Sequence, residues 1–378
     1  MRIDKLMLPV LVFLSLAIFA AALFWSPHAG RAAYLHLMLA AGAMPLIFGA
    51  MSHFIPVLTR TREAERGIGL VPVLALAGGA LAVAAFSLGG INWGWQAGAL
   101  LAMTSTLALF VWSRRRRAAM LGSPHACLAW YEAALACLFA ALLAILAGAL
   151  WPQHFLALRR FHLHLNTLGF IGLTAVGTLA VLMPTVIGRP DASAATRLKQ
   201  DLPLALGGVV LIAIGSAWLA PLAWMGLIAW GTALVRLDAV WLRLYRAEIF
   251  ALHGAAPPLA MATVGFALCL LSGAAVTAGM AVDPAMVFIA GFLLPLVSGA
   301  ASQLLPVWLK PGVQNAWHGD MRRRLGRYNG VRALLFFCGG IAAGFKQELG
   351  LLLSAATLVW FLLQAAASLI FVKLSNPS

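Results

Sequence analysis

The side chains with the most chemistry in this sequence are histidines set among apolar residues. Phe161-His162-Leu163-His164-Leu165-Asn166 carries two imidazoles two positions apart, and Tyr34-Leu35-His36-Leu37 carries a third. An imidazole in such surroundings serves as a metal ligand, a proton relay or a hydrogen-bonding partner between helices. Residues two apart on a helix point about 200° apart. His162 and His164 therefore look to opposite sides of their helix and serve separate sites rather than one ion.

The elements that must hold these residues are membrane helices. Of 378 residues, 63% are hydrophobic and 10% charged, far from the charge content of a soluble domain. The net charge of +15 is split between apolar runs rather than gathered on one water-exposed face, which excludes a nucleic-acid binder. Apolar windows predict twelve spans, near 6–25, 33–58, 68–89, 93–113, 126–149, 161–186, 202–220, 222–242, 258–280, 284–308, 331–346 and 349–372. The fold class expected is an all-α membrane protein in a lipid bilayer. The first run, behind Arg2 and Lys5, has the look of a secretory signal but is read as a helix because a threefold repeat of the chain needs it. Assigning Lys and Arg to alternate sides puts 22 of 26 on one side, leaving Arg31, Arg159, Arg160 and Lys346 on the other. The expectation is a bacterial cytoplasmic membrane protein with both termini inside. Cys127, Cys137, Cys269 and Cys338 fall within apolar segments without CxxC spacing, so they read as core residues.

The repeat shows as one spacing that recurs three times. His36, Gly49 and Pro56 stand thirteen and seven residues apart; His164, Gly177 and Pro184 repeat the steps, and Met286, Gly299 and Pro306 repeat them again without a histidine. The segments lie 128 and 122 residues apart, about a third of the chain. This predicts one transmembrane domain of three four-helix repeat units, near 1–120, 121–250 and 251–378, with helices two, six and ten equivalent. His36 and His164 would then lie at similar depth near the outer face. The glycines admit close approach of backbone or of a flat ligand, or serve ordinary small-residue packing.

A bare transition metal wants three or four protein donors, which the surroundings of His36 and His164 lack. Haem iron needs only one or two imidazoles, because the porphyrin supplies four nitrogens. Arg31, Arg159 and Arg160 stand just before these helices, where they suit haem propionates or simple interfacial anchoring. The reading is a b-type haem bound by His36 and His164, with His162 as ligand to a second haem or metal.

In these features the chain resembles the subunit I proteins of the haem-copper oxidase and nitric oxide reductase superfamily, which have twelve helices in three pseudo-symmetric four-helix units. His162/His164/Gly177/Pro184 matches the pattern of one of their haem-binding helices, and Pro184-Thr185-Val186-Ile187-Gly188-Arg189-Pro190-Asp191 resembles a turn that ends another. His53, three residues before Pro56, matches a histidine at that place on the His-x-His helix. The resemblance implies haem, and His53 as a further metal-site candidate. It departs in lacking a His-His pair, in having no histidine on helix ten and in carrying His-x-His in the second unit. These departures keep copper as a candidate without a full ligand set and argue against a terminal oxygen reductase. The pattern looks closer to the NnrS-type branch of twelve-helix haem proteins linked to nitric oxide tolerance. Electron transfer to a redox partner or binding of a gas such as nitric oxide is the implied role. A different class stays open: a carrier or assembly factor for protons, copper or haem, or a non-catalytic subunit of a larger membrane complex.

Of the rest, Glu132 reads as a proton-handling group or a structural acid, and Trp25, Trp93, Trp95 and Trp151 as an outer aromatic belt. Met286, in the vacant histidine position, reads as core. His28, His125, His154, His253 and His318 fall in loops or at helix ends, where solvated imidazoles are expected.

Overall fold

A computed structural model describes residues 7–25, 30–62, 66–88, 91 and 93–375; Arg2, Lys5 and His28 lie outside them. The described residues are helical, with no strand. In chain order the helices are α1 (Met7–Trp25), α2 (Arg31–Thr59), α3 (Gly67–Ser87), α4 (Gly94–Ala119), α5 (Cys127–Leu150), α6 (Pro152–Ile187), α7 (Ala194–Ala217) and α8 (Ala220–Ile249). They continue as α9 (Ala256–Thr277), α10 (Pro284–Leu309), α11 (Ala316–Leu325), α12 (Asn329–Gly344) and α13 (Glu348–Ser375). Eleven of these are long and apolar enough to cross a membrane among the described residues, which identifies an all-α membrane protein. The other two are α11, a short basic helix, and α12, where a span was expected over 331–346. Helix α12 has sixteen residues, about 24 Å against a hydrocarbon core of about 30 Å.

The largest shift from expectation is in α6, which begins at Pro152 rather than near 161 and runs for 36 residues. Pro152, Gln153 and His154 form a 3₁₀ turn that starts the helix ahead of its apolar stretch. The polar residues Arg159 and Arg160 thus lie on helix, not in a loop. Hydropathy reports where lipid begins, whereas a helix extends wherever its backbone bonds are satisfied.

Contacts between Cα atoms group the chain into two units, one comprising Met1–Pro27, Leu182–Pro190 and Leu234–Ser378, the other His28–Val181 and Asp191–Ala233. In the second unit, a Cβ at Gly78 of α3 would stand 2.7 Å from the Gly98 carbonyl of α4, so these helices meet backbone to backbone. Its core includes Trp130 and Trp230, and the Trp130 indole N–H donates to the Leu198 carbonyl at 2.9 Å. In the first unit, α10 is the most enclosed helix. Phe266, Phe288 and Phe292 are buried there, with ring centroids 4.7, 4.9 and 6.1 Å apart.

The three helices that share the spacing motif also share an irregularity. The α-helix gives way to π-helix at Leu37–Ala43 in α2, Leu165–Gly172 in α6 and Val287–Leu293 in α10, each starting at the residue after His36, His164 or Met286. Pro45 and Pro295, nine residues beyond His36 and Met286, lack an N–H and crowd the carbonyls of Ala41 and Gly291 four residues back, which favours the wider turn. Helix α6 has Leu173 at that place and relies on Gly169 and Gly172 within its π segment. Each segment is also met closely by a neighbour. A Cβ on Gly79 would lie 2.4 Å from the Ala40 carbonyl oxygen, one on Gly265 1.9 Å from that of Gly291, and one on Gly169 2.8 Å from Cβ of Cys137.

Candidate functional site

The imidazoles of α2 and α6 are held alike. Nδ1 of His36 lies 2.7 Å from the Ala32 carbonyl oxygen, and Nδ1 of His164 lies 2.8 Å from that of Arg160, in each case four residues back on the same helix. A carbonyl only accepts, so the proton sits on Nδ1 in both rings and Nε2 carries the lone pair. Neither Nε2 has a hydrogen-bond partner among the described residues, and both rings are half-buried. A backbone carbonyl on Nδ1–H that leaves Nε2 to donate is the arrangement that orients metal-ligating histidines.

His162 is fixed differently. Its Nδ1 donates to the Ala141 carbonyl of α5 at 2.9 Å, across a helix interface. The Asn166 amide nitrogen stands 3.2 Å from each ring nitrogen and donates to the His162 carbonyl at 3.1 Å, so it lies against the imidazole. His162 thus looks toward α5 while His164 looks toward α7, where Ser216 lies 3.0 Å from its Nδ1, the opposed directions their spacing requires. No hydrogen bond or ring contact joins His36 to His164 among the described residues. The Phe86 ring of α3 packs on His36 with centroids 4.7 Å apart.

The other candidates fall into several settings. Arg159 and Arg160 are exposed one turn before His164; Arg160 reaches the Ser216 carbonyl at 3.5 Å, and Arg159 makes no ion pair or hydrogen bond among the described residues. Gly177 is buried, and a Cβ there would stand 2.7 Å from that of Trp130, so the close approach it permits is made by an indole. Gly49 is buried in α2. His53 is half-buried, its ring against Phe54. Met286 is buried in the core. Glu132 is buried and pairs through Oε2 with Arg117 at 2.6 Å and Arg114 at 3.3 Å, an ion pair tying α4 to α5.

Two of the residues expected in solvent are not simply solvated. His318 is buried, with Nε2 donating to the Lys310 carbonyl at 2.8 Å and Nδ1 accepting from the Asn315 N–H at 3.1 Å, and so braces the start of α11. His125 accepts the Cys127 N–H at 3.2 Å ahead of α5, and burial lowers its pKa. The turn after α6 has a structural account as well. Gly188 ends the helix at φ +73°, and Asp191 accepts from the Ser193 N–H at 3.0 Å and hydroxyl at 2.8 Å and pairs with Arg197, which holds its carboxyl below the usual range.

Among the described residues no three His, Cys, Asp or Glu side chains converge as a bare metal ion wants. The donors that do stand open are single imidazole nitrogens, one on each of two turns that are held alike. Ser216 and Phe86, which touch these rings, carry no signal in the sequence, being 52 and 50 residues from the histidines they meet. Compared with known proteins, the chain matches no protein-family model and no curated protein.

Proposed function

We propose that this chain is a b-type haem protein of the bacterial cytoplasmic membrane, with twelve passages in three pseudo-symmetric four-helix units and both termini inside. The observation that carries the reading is the pair of equivalent imidazoles, His36 and His164, each with Nδ1–H on the carbonyl one turn back and Nε2 unpartnered among the described residues. Their recurrence at the head of two of three matching π segments supports both the repeat and the ligand role. Nε2 of each would hold iron, while Arg159 and Arg160 stand where propionates near the outer face need cations. The third unit has Met286 at the ligand position and a packed phenylalanine cluster beyond it, a unit that serves as scaffold.

Haem so bound would supply one-electron chemistry if both axial positions are protein ligands, and a gas-binding site if one is open. The chain's own part is to orient the imidazoles and keep lipid and water from the iron. The resemblance to the NnrS-type branch points the role toward nitric oxide. The test is a dithionite-reduced optical spectrum of protein purified after expression with haem supplied, with and without carbon monoxide. Haem bands in the wild type that His36→Ala and His164→Ala each deplete are expected. Absent bands, or full haem in both variants, would sink the proposal. Bands unmoved by carbon monoxide assign electron transfer, and a shift assigns a gas site.

A further inference from the structure

We infer that Ser216 is a positioning residue that raises the donor strength of His164 above that of His36, so that the two equivalent ligand turns are electronically unequal. The inference rests on the haem reading. Nδ1–H of His36 has one acceptor, the Ala32 carbonyl at 2.7 Å. Nδ1–H of His164 has two, the Arg160 carbonyl at 2.8 Å and the Ser216 hydroxyl oxygen at 3.0 Å. The Ser216 hydroxyl hydrogen is committed to the Ala213 carbonyl at 3.1 Å, so toward His164 the oxygen accepts. A second acceptor draws the Nδ1 proton further and makes Nε2 a stronger base.

The hydroxyl is held in place by its surroundings. Ser216 lies in the last turn of α7, where a Cβ on the preceding Gly215 would come 2.2 Å from the Ala223 nitrogen, so α7 and α8 are locked together there. The Arg160 guanidinium reaches the Ser216 carbonyl at 3.5 Å, and the Phe161 and Trp218 rings pack with centroids 5.7 Å apart. Three contacts thus join the histidine turn of α6 to the end of α7. A more basic ligand favours the more oxidised metal, so iron on His164 would be held at a lower potential than His36 alone would set.

The experiment is a potentiometric titration of the haem-loaded protein, following the optical bands, for wild type, Ser216→Ala and Ser216→Thr. Ser216→Ala is expected to raise the midpoint potential and to weaken haem binding by about ten-fold or more. Ser216→Thr keeps the hydroxyl and should restore both. A second measurement needs no haem: with 15N-labelled histidine in the haem-free protein, Ser216→Ala should move the His164 ring resonance, assigned by its loss in His164→Ala, and leave that of His36 in place. An unchanged potential with an unmoved His164 resonance overturns the inference and leaves the haem reading standing. A wild type without haem bands sinks the haem reading itself, and the resonance then decides the Ser216 contact alone.

Discussion

Two kinds of buried polar residue stand in α6, and substitution should tell them apart. His162 spends Nδ1 on the Ala141 carbonyl of another helix, and the Asn166 amide packs against its ring. His162→Ala is therefore expected to leave haem content near that of the wild type and to cost about 1–2 kcal/mol of stability, the worth of a half-buried interhelical hydrogen bond whose acceptor is left unpaired. Equal haem loss in His162→Ala and His164→Ala, read by pyridine haemochrome stoichiometry, would reassign the ligand. Outside the membrane, Asp191 gives a pH test. Arg197 and Ser193 hold its carboxyl below the ordinary value, so the folded state binds a proton less readily than the unfolded chain. Its contribution is fully present above the unfolded pKa and is lost as pH falls through the folded value, below about pH 4. Asp191→Asn should lower thermal stability in detergent at pH 7 by about 1–2 kcal/mol, with the gap from wild type closing at acid pH. At this scale the histidines were legible because an ionisable group in an apolar run is costly and stands out. Ser216 was not, since a serine in a helix carries no mark of what it touches 52 residues away.

The helices are joined at their least featured residues. The spacing from histidine through glycine to proline singled out three helices from sequence alone, but it could not reveal that each contains a π segment. Each extra residue in a turn rotates the remainder of the helix by about 100°, so a straight α-helix drawn through His164 and Gly177 would misdirect one of them. The cause is spread over Pro45, Pro295 and glycines on other helices, a tertiary effect that no single run of sequence contains. Gly265 gives the sharpest test, because a Cβ there would fall 1.9 Å from the Gly291 carbonyl oxygen, backbone that has no rotamer to move. Gly265→Ala is expected to destabilise by about 1–3 kcal/mol, seen as a lower midpoint of thermal unfolding in detergent. Gly207→Ala, where nothing lies within 4 Å of the added carbon, should be neutral or stabilise by about 0.5–1 kcal/mol. Similar gains in both would mean that helix propensity, not close approach at the π segment, governs these glycines.

For the whole chain the open question is whether α12 crosses the membrane, because that decides where the C-terminus lies. Composition alone marked this as a membrane protein, and charge placement predicts a polarity, yet α12 has only sixteen residues where a full span was expected. Two features favour a crossing. Before it stand Lys310, Arg322, Arg323, Arg324 and Arg327, and Arg332 lies in its first turn, while Lys346 is the single cation between it and α13, the asymmetry expected across a bilayer. Arg332 at its first turn is buried, with its guanidinium on the Leu325 carbonyl and lying 4.9 Å over the Phe361 ring, so the charge is anchored at the end of α11 rather than left in lipid. A helix about 24 Å long would span by local thinning of the bilayer at modest cost. Val313, 92% exposed before α11, and Gln347, exposed after α12, are the places to look. Single cysteines there, in a background with the exposed Cys338 replaced by serine, should react with a membrane-impermeant maleimide from opposite sides, position 347 in intact cells and position 313 only after lysis. Labelling of both from one side would show that α12 turns back, would put the C-terminus outside, and would break the third four-helix unit on which the repeat depends.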